Sequence, residues 1–394
     1  MKRLLMLTLL LVLVSGVALF AAEEESLVIA VPWAGAELEA FLPVLRAFTD
    51  ETGIEVTAIT LRAEDLAVFL PAQFAAGITV ADVIFMWGWF IEEKARAGHV
   101  LPITGVIDPA DFLIGALDPM TIDDQLYGIA YTGKVKPGFW YRRSFFEEHG
   151  LAEPATWEEF VALLEEIAQI PGIVAPIASG NGVGWPLSDI AEHFLIAFGG
   201  PELHKALIAG EIAWTDPIVE AIFADRLVPL LEAGHFGEPT EWTMAKALWW
   251  GNDYGLFNMG SWLTGMVEDP EDLGVFALPG TEGIVFGIDY AFIPAYTQRP
   301  AAAKELINFL ATRGQVIQVG EGGHLATYIQ VPLEAYPPVD AMVAGLLVDM
   351  VALPDLDDTI GGAFQLAFWD QLKFLWVAPE MLPEVLEILE EKAQ

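Results

Sequence analysis

The chain has 394 residues, 56 acidic against 18 basic side chains, a formal charge of −38 at neutral pH, and 54% hydrophobic residues. A field of that sign repels nucleic acid and anionic membrane, so neither is an expected partner, and so apolar a chain is no disordered acidic tail. Cysteine is absent, which excludes disulfides, cysteine-based metal sites and a lipid anchor on a cysteine behind a leader.

Residues 1–22 read as a secretory signal peptide. Lys2 and Arg3 give a positive start, Leu4 to Phe20 is uncharged and apolar, and Ala21-Ala22 precedes Glu23-Glu24-Glu25. The competing reading is an uncleaved anchor, because the apolar run is near the lower limit for a span. The expected product is a soluble periplasmic protein, monomeric and without a lipid anchor. The remainder is too long for one core, so two lobes are expected.

Ser26 to Trp33 fits a strand buried on both faces. A helix follows with Leu38, Phe41, Leu42, Leu45 and Phe48 on one face, ending near Gly53. Val56 to Leu61 is a second strand, Glu64 to Ala76 a helix, and Asp82 to Trp87 a third strand. This alternation predicts parallel β/α units, whose ligand crevice lies beyond the carboxyl ends of the strands. Trp33 and Trp87 both stand at such ends.

The stretch from Gly128 to Phe160 reads as a strand end, a short polar connection, an aromatic strand through Tyr141, and a helix. Thr156 and Glu159 have capping-box spacing, and Phe160, Leu163, Leu164 and Ile167 repeat at helical intervals behind them. Trp140 and Tyr141 read as core. Later, Val174 to Ser179 is a strand running into the loop GNGVGW. Helices are expected at Asp189 to Phe198, Ile218 to Ala233 and Glu241 to Trp250, and a short strand at Leu256 to Met259. Pro279 to Gly287 reads as a turn-rich return, Ile288 to Ile293 as a strand and Ala301 to Leu310 as a helix. Gly320 to Gly323 is a flexible join. From Val339 the chain reads as three helical pieces broken near Pro354 and Pro379.

No nucleophile elbow, zinc-protease motif, phosphate loop or dinucleotide fingerprint occurs. The six histidines lack metal-ligand spacing, so no metal and no cofactor is expected. Tryptophan is abundant, with 13 residues, and Trp33, Trp87, Trp89, Trp185 and Trp262 fall in loops or at strand ends. An indole face covers the C–H face of a sugar ring while polar side chains bond its hydroxyl rim. Any one of these residues fits a core; as a set they point to sugar contact.

The ordered segments GIAYTGKVKPGFWYRRSFFEEHGLAEPATWEEF, GLFNMGSW and RPAAAKELINFL resemble the extracellular solute-binding proteins of ABC transporters, in the carbohydrate-binding group that includes maltose-binding protein. ELHKALIAGEIAWTDPIVEAIFADRLVPLLEAGHF is similar to the glucose-binding branch. The resemblance implies a two-lobe periplasmic-binding-protein fold of class α/β, with discontinuous lobes joined by three hinge crossings. The lobes would be residues 27–132 with 286–327, and 133–285 with 328–394. It implies no catalysis, and a neutral mono- or disaccharide bound between the lobes and delivered to the permease membrane subunits. By position it assigns the ligand to Trp33, Trp87, Tyr131, Lys134, Trp185, Trp262, Asp289, Tyr290, His324 and Gln365. The chain departs from that branch at Trp87, where a polar residue or histidine is usual, near Gly322, where a lysine is missing, and at Gln365, near which histidine is usual. The alternatives are a ligand that is no sugar, such as a polyol or polyamine, and a secreted carbohydrate-active enzyme.

Overall fold

The computed structural model describes residues 26–181 and 184–393. The expected signal peptide and part of the GNGVGW loop lie outside the described residues. Among the described residues no helix is long and apolar enough to cross a membrane.

The N-terminal alternation forms as the hydrophobic periodicity requires. Strand β1 (Ser26–Val31), helix α1 (Ala36–Thr52), β2 (Glu55–Thr60), α2 (Ala63–Ala75) and β3 (Val83–Met86) follow one another, with β1 parallel to both β2 and β3. Helix α1 buries Phe41, Val44, Leu45 and Phe48 and stops at Gly53, whose left-handed φ of 75° only glycine adopts freely. Helix α3 (Gly88–Arg96) starts directly after Trp87.

Strand β4 (Gly128–Lys136) and strand β9 (Gly283–Phe292) pair antiparallel. Strand β4 occupies what the sequence suggested was a polar connection. Gly133 is no turn residue: a Cβ there would stand 2.0 Å from the Phe286 ring, so the missing side chain admits that ring onto the strand. Strand β9 likewise starts within the stretch that looked like a turn. Between Ile288 and Tyr290 the register slips, one residue of β9 facing two of β4. The irregularity falls at Asp289.

Beyond a turn at Gly138 come β5 (Phe139–Arg142), an unforeseen helix α4 (Arg143–His149), and α5 (Trp157–Ala168). At the start of α5, Thr156 Oγ1 accepts from the Glu159 amide at 3.2 Å; the Glu159 carboxylate accepts from the Ala155 amide at 2.8 Å, one residue outside the usual box. Strand β6 (Ala175–Ala178), α6 (Trp185–Ile208), α7 (Trp242–Trp250), β7 (Tyr254–Asn258) and β8 (Leu273–Phe276) complete a second sheet in the order β8-β5-β7-β6.

After α8 (Pro300–Phe309), β10 (Leu325–Ala326) pairs with β4. Helix α9 (Pro338–Asp349) leads into β11 (Val351–Leu353), which pairs with β9 where the sequence suggested only a helix break. Helices α10 (Leu356–Ile360), α11 (Gly362–Val377) and α12 (Leu382–Ala393) end the chain.

Two large cores result. One joins Leu27, Phe41, Phe85 and Ile129 to the distant Phe292, Leu306 and Leu310. The other joins Phe139, Phe160, Phe194 and Leu256 to Phe368 and Leu386. A third cluster around Trp140, Trp249, Trp262 and Leu325 lies beside the central strands. This is a two-lobe α/β fold built from discontinuous segments.

Candidate ligand-binding site

A cavity of about 440 Å³ opens between the two cores, within the usual size of small-molecule sites. Strand ends and helix starts from both halves converge on it, as expected beyond the carboxyl edge of parallel strands. Its lining brings together indole rings, carboxyl groups and two lysines.

Trp33 follows β1 and packs on Phe41 and Phe85. Trp262 lines the same cavity from the third cluster. The Gly260-Ser-Trp262 segment folds back on itself: a Cβ on Gly260 would stand 1.8 Å from the Trp262 ring, so glycine lets the indole lie on its own backbone. Ser261 Oγ accepts from the Val135 amide at 3.1 Å and donates to the Gly323 carbonyl at 3.0 Å, tying that turn to β4 and to the segment before β10. Gly323 has φ 82°, and a Cβ there would meet the Trp262 backbone at 2.7 Å. Trp185, at the start of α6, contacts Trp242 and Trp262 edge-on, both with centroids at 5.7 Å.

Lys134 lies over both indoles, its Nζ 5.5 Å from the Trp33 ring centre and 5.3 Å from that of Trp262, a cation–π arrangement. Asp289 Oδ2 is 3.3 Å from Nζ and Glu37 Oε1 is 3.7 Å away. Burial draws the Lys134 ammonium pKa down, but these two carboxylates outweigh it and leave the pKa raised. Asp289 and Glu37 are themselves raised by burial, against the pull of Lys134. Asp289 Oδ2 is buried and, despite the ion pair, lacks a properly aligned hydrogen-bond donor among the described residues.

Lys136, two residues along β4, donates to Asp189 of α6 and to Asp355, the N-cap of α10. Burial acts upward on Asp355, yet the Lys136 charge and the hydrogen bonds from Lys136, the Asp358 amide and Asp357 together hold it below the ordinary carboxylate range. Asp357 and Asp358 stand beside it on the cavity wall. Asp357 accepts from Trp369 Nε1 and from Ser188 Oγ, the latter at 3.1 Å; Asp358 accepts from Gln365 Nε2 at 2.6 Å. Burial, then the Asp355 charge, pushes both carboxyls well above their usual range. Trp87 and Trp89 stack at 5.8 Å and 16°, and Trp87 meets Trp369 of α11 at 6.1 Å. Gly361, φ 67°, leaves room for the Trp89 ring. The two halves therefore touch across the mouth of the cavity.

Of the residues named from sequence, Trp33, Trp87, Lys134, Trp185, Trp262, Asp289 and Tyr290 line the cavity. Tyr131, His324 and Gln365 lie behind its wall. Tyr131 is fully buried against Phe41 and Phe85 and donates to Gln318 Oε1 at 3.1 Å. His324 Nδ1 is 3.0 Å from Thr132 Oγ1, and burial, with Lys134 nearby, holds the ring neutral. Gln365 orients Asp358. Sequence reasoning passed over Glu37, Trp242, Asp355, Asp357, Asp358 and Trp369, all lining residues. The signal for three of them was Asp355-x-Asp357-Asp358 directly after Pro354, a helix start crowded with acids.

Residues 34–317 match the family described as bacterial extracellular solute-binding protein. The chain belongs to that family. It is a family of binding proteins, not of enzymes. This solute-binding protein is 52% identical, over 92% of its own length and 86% of the relative's, to an uncharacterized ABC transporter extracellular-binding protein of Pyrococcus horikoshii. Its fold is similar to that of a solved chitin oligosaccharide binding protein, with a TM-score of 0.80 at 23% identity, covering 94% of this chain and 98% of that one. A maltose-bound structure from T. maritima gives a TM-score of 0.78 at 18% identity, covering 93% and 98%.

Proposed function

We propose that this solute-binding protein carries a carbohydrate of mono- or disaccharide size in the cavity between its lobes and delivers it unaltered to the membrane permease of an ABC importer. The observation that carries this reading is the pairing of indole rings with charged groups in one cavity: Lys134 lies over both the Trp33 and the Trp262 rings and is ion-paired to Asp289 and Glu37. Indole faces suit the C–H faces of a pyranose, and the charged groups suit its hydroxyls. The relatives' names agree, one being described as binding chitin oligosaccharide and one as bound to maltose. In this reading Trp33, Trp87, Trp185 and Trp262 stack on the ligand, and Lys134, Asp289 and Tyr290 bond its rim. Tyr131, His324 and Gln365 hold those groups in position.

The lobes would be residues 27–132 with 286–327, and 133–285 with 328–394. Hinge closure around the ligand would then present the loaded form to the permease, with the exported protein working as a monomer in the periplasm. Calorimetric titration with a panel of mono- and disaccharides tests the reading. At least one sugar should bind saturably, and Trp262→Ala and Asp289→Ala should each weaken it at least about tenfold, ~1.4 kcal/mol. A panel without a binder overturns it.

A further inference from the structure

Carboxyl groups outnumber cationic side chains on the cavity wall. Seven carboxyl groups line it against three cationic side chains. Of those cations, Lys134 lies between Glu37 and Asp289, and Lys136 between Asp189 and Asp355. Arg62 is turned to Asp65 at 3.1 Å. Asp357 and Asp358 have no ion-pair partner among the described residues; their hydrogen bonds come from neutral donors, Ser188, Trp369 and Gln365. Both line the cavity next to the Trp87 and Trp369 rings. Aromatic faces beside unpaired carboxyls are what a desolvated ammonium group requires. The same site already holds one such group, since Lys134 Nζ lies over two indoles.

We propose that the ligand is an amino sugar, bound with its protonated amine between the Trp87–Trp369 rings and the Asp357–Asp358 carboxyls, in preference to the neutral sugar of the same size. This rests on the carbohydrate reading above and narrows it, and it departs from the neutral ligand expected from sequence. The surroundings agree. Asp357 and Asp358 both face Asp355 and Asp189 as well as Lys136; Asp357 also faces Glu192, and Asp358 also faces Tyr290. Burial and these like charges disfavour ionisation of both carboxyls in the empty cavity. An arriving ammonium ionises one of the two, and that carboxyl's proton leaves to solvent; a neutral sugar has no such effect.

The test uses the full-length protein and three disaccharides of one linkage: cellobiose, its di-amino counterpart from chitosan, and the N-acetylated form of the latter. Calorimetry near pH 6 should show the free amine binding at least about tenfold tighter than cellobiose. Acetylation should abolish that advantage, and it should shrink near pH 9, where such an amine is largely unprotonated. Repetition in buffers of different ionisation enthalpy should show proton release for the amine alone. Asp358→Asn should lower the ratio of amine to cellobiose affinity, and should that variant not fold, the acetylation and pH arms still decide. Cellobiose binding as tightly as the free amine, or an advantage that survives acetylation, overturns the proposal while leaving the carbohydrate reading intact. No binding by any of the three, together with an empty sugar panel, removes both.

Discussion

His193 shows how a single buried side chain sets pH behaviour away from the cavity. Its Nε2 accepts from the Leu278 amide at 2.9 Å, and burial pushes its pKa down to about 4. The unfolded chain, with a histidine pKa of about 6.5, takes up the proton first as pH falls. Stability from the neutral ring is therefore complete above about pH 6.5 and is lost as pH falls toward about 4, by about 3 kcal/mol in all. Glu192, raised well above its usual range by burial, acts in the opposite sense. The histidine is isolated only as a difference between variants. His193→Gln keeps an acceptor for Leu278, so its melting temperature should fall less steeply than that of the parent below about pH 6; parallel curves would refute the assignment.

Of the lining residues, Trp33 and Trp87 were legible as strand ends and Trp185 and Trp262 as loop tryptophans, while Lys134, Asp289 and Tyr290 followed from the family resemblance. Trp33 and Trp87 end alternating β/α units, and Lys134 and Asp289 lie on strands β4 and β9. Trp242 and Trp369 sit in helices among apolar neighbours and look like core until the fold turns them to the cavity. The acidic wall at Asp355, Asp357 and Asp358 was unreadable because it depends on α10 docking against α6 through Lys136 and Ser188.

Among the elements, the join between α8 and β10 positions the cavity more than its flexible-looking sequence suggests. Gly322 and Gly323 both have left-handed φ, 88° and 82°. Asp340 Oδ1 fixes the turn, accepting from the Gly323 amide at 2.9 Å and from Thr264 Oγ1 at 2.6 Å. Gly323→Ala combines a disfavoured φ, costing about 1–2 kcal/mol, with a clash against the Trp262 backbone. It should lower the melting temperature and weaken sugar binding together. Gly210→Ala, at φ 67° with nothing within 4 Å of its Cβ, carries only the backbone cost and should leave binding alone. Equal binding losses in the two would show that strain, not the Trp262 contact, is responsible. The sequence announced glycines here and at Gly133, but glycine alone does not distinguish a turn from a seat for a neighbouring ring. That information lies in the partner, Trp262 or Phe286, and partners are set by tertiary folding.

For the whole molecule, the charge of −38 is spread over surfaces that ion pairs do little to neutralise. Exposed pairs such as Arg96–Glu92 and Lys205–Glu202 contribute little each. Self-repulsion then opposes the compact state and is screened by salt. The melting temperature should rise from about 10 mM to about 150 mM salt, as the Debye length shrinks to about 8 Å; a flat or falling trend would show that the acidic surface does not strain the fold. The two-lobe division was legible from chain length and from strand–helix alternation. The pairing of β4 with β9 as long continuous strands was not, because Gly133 and the run after Pro279 imitate turns.

The Trp87–Trp369 contact spans the two halves with ring planes at 63°. Indole transition dipoles that close and so inclined exchange excitation, and the coupling decays steeply with separation. The molecule thus contains its own optical gauge: other close indole pairs, such as Trp185–Trp242 and Trp249–Trp250, give a standing ultraviolet circular-dichroism couplet, and the Trp87–Trp369 component, isolated as the difference from Trp369→Phe, weakens when the halves part, with no attached dye.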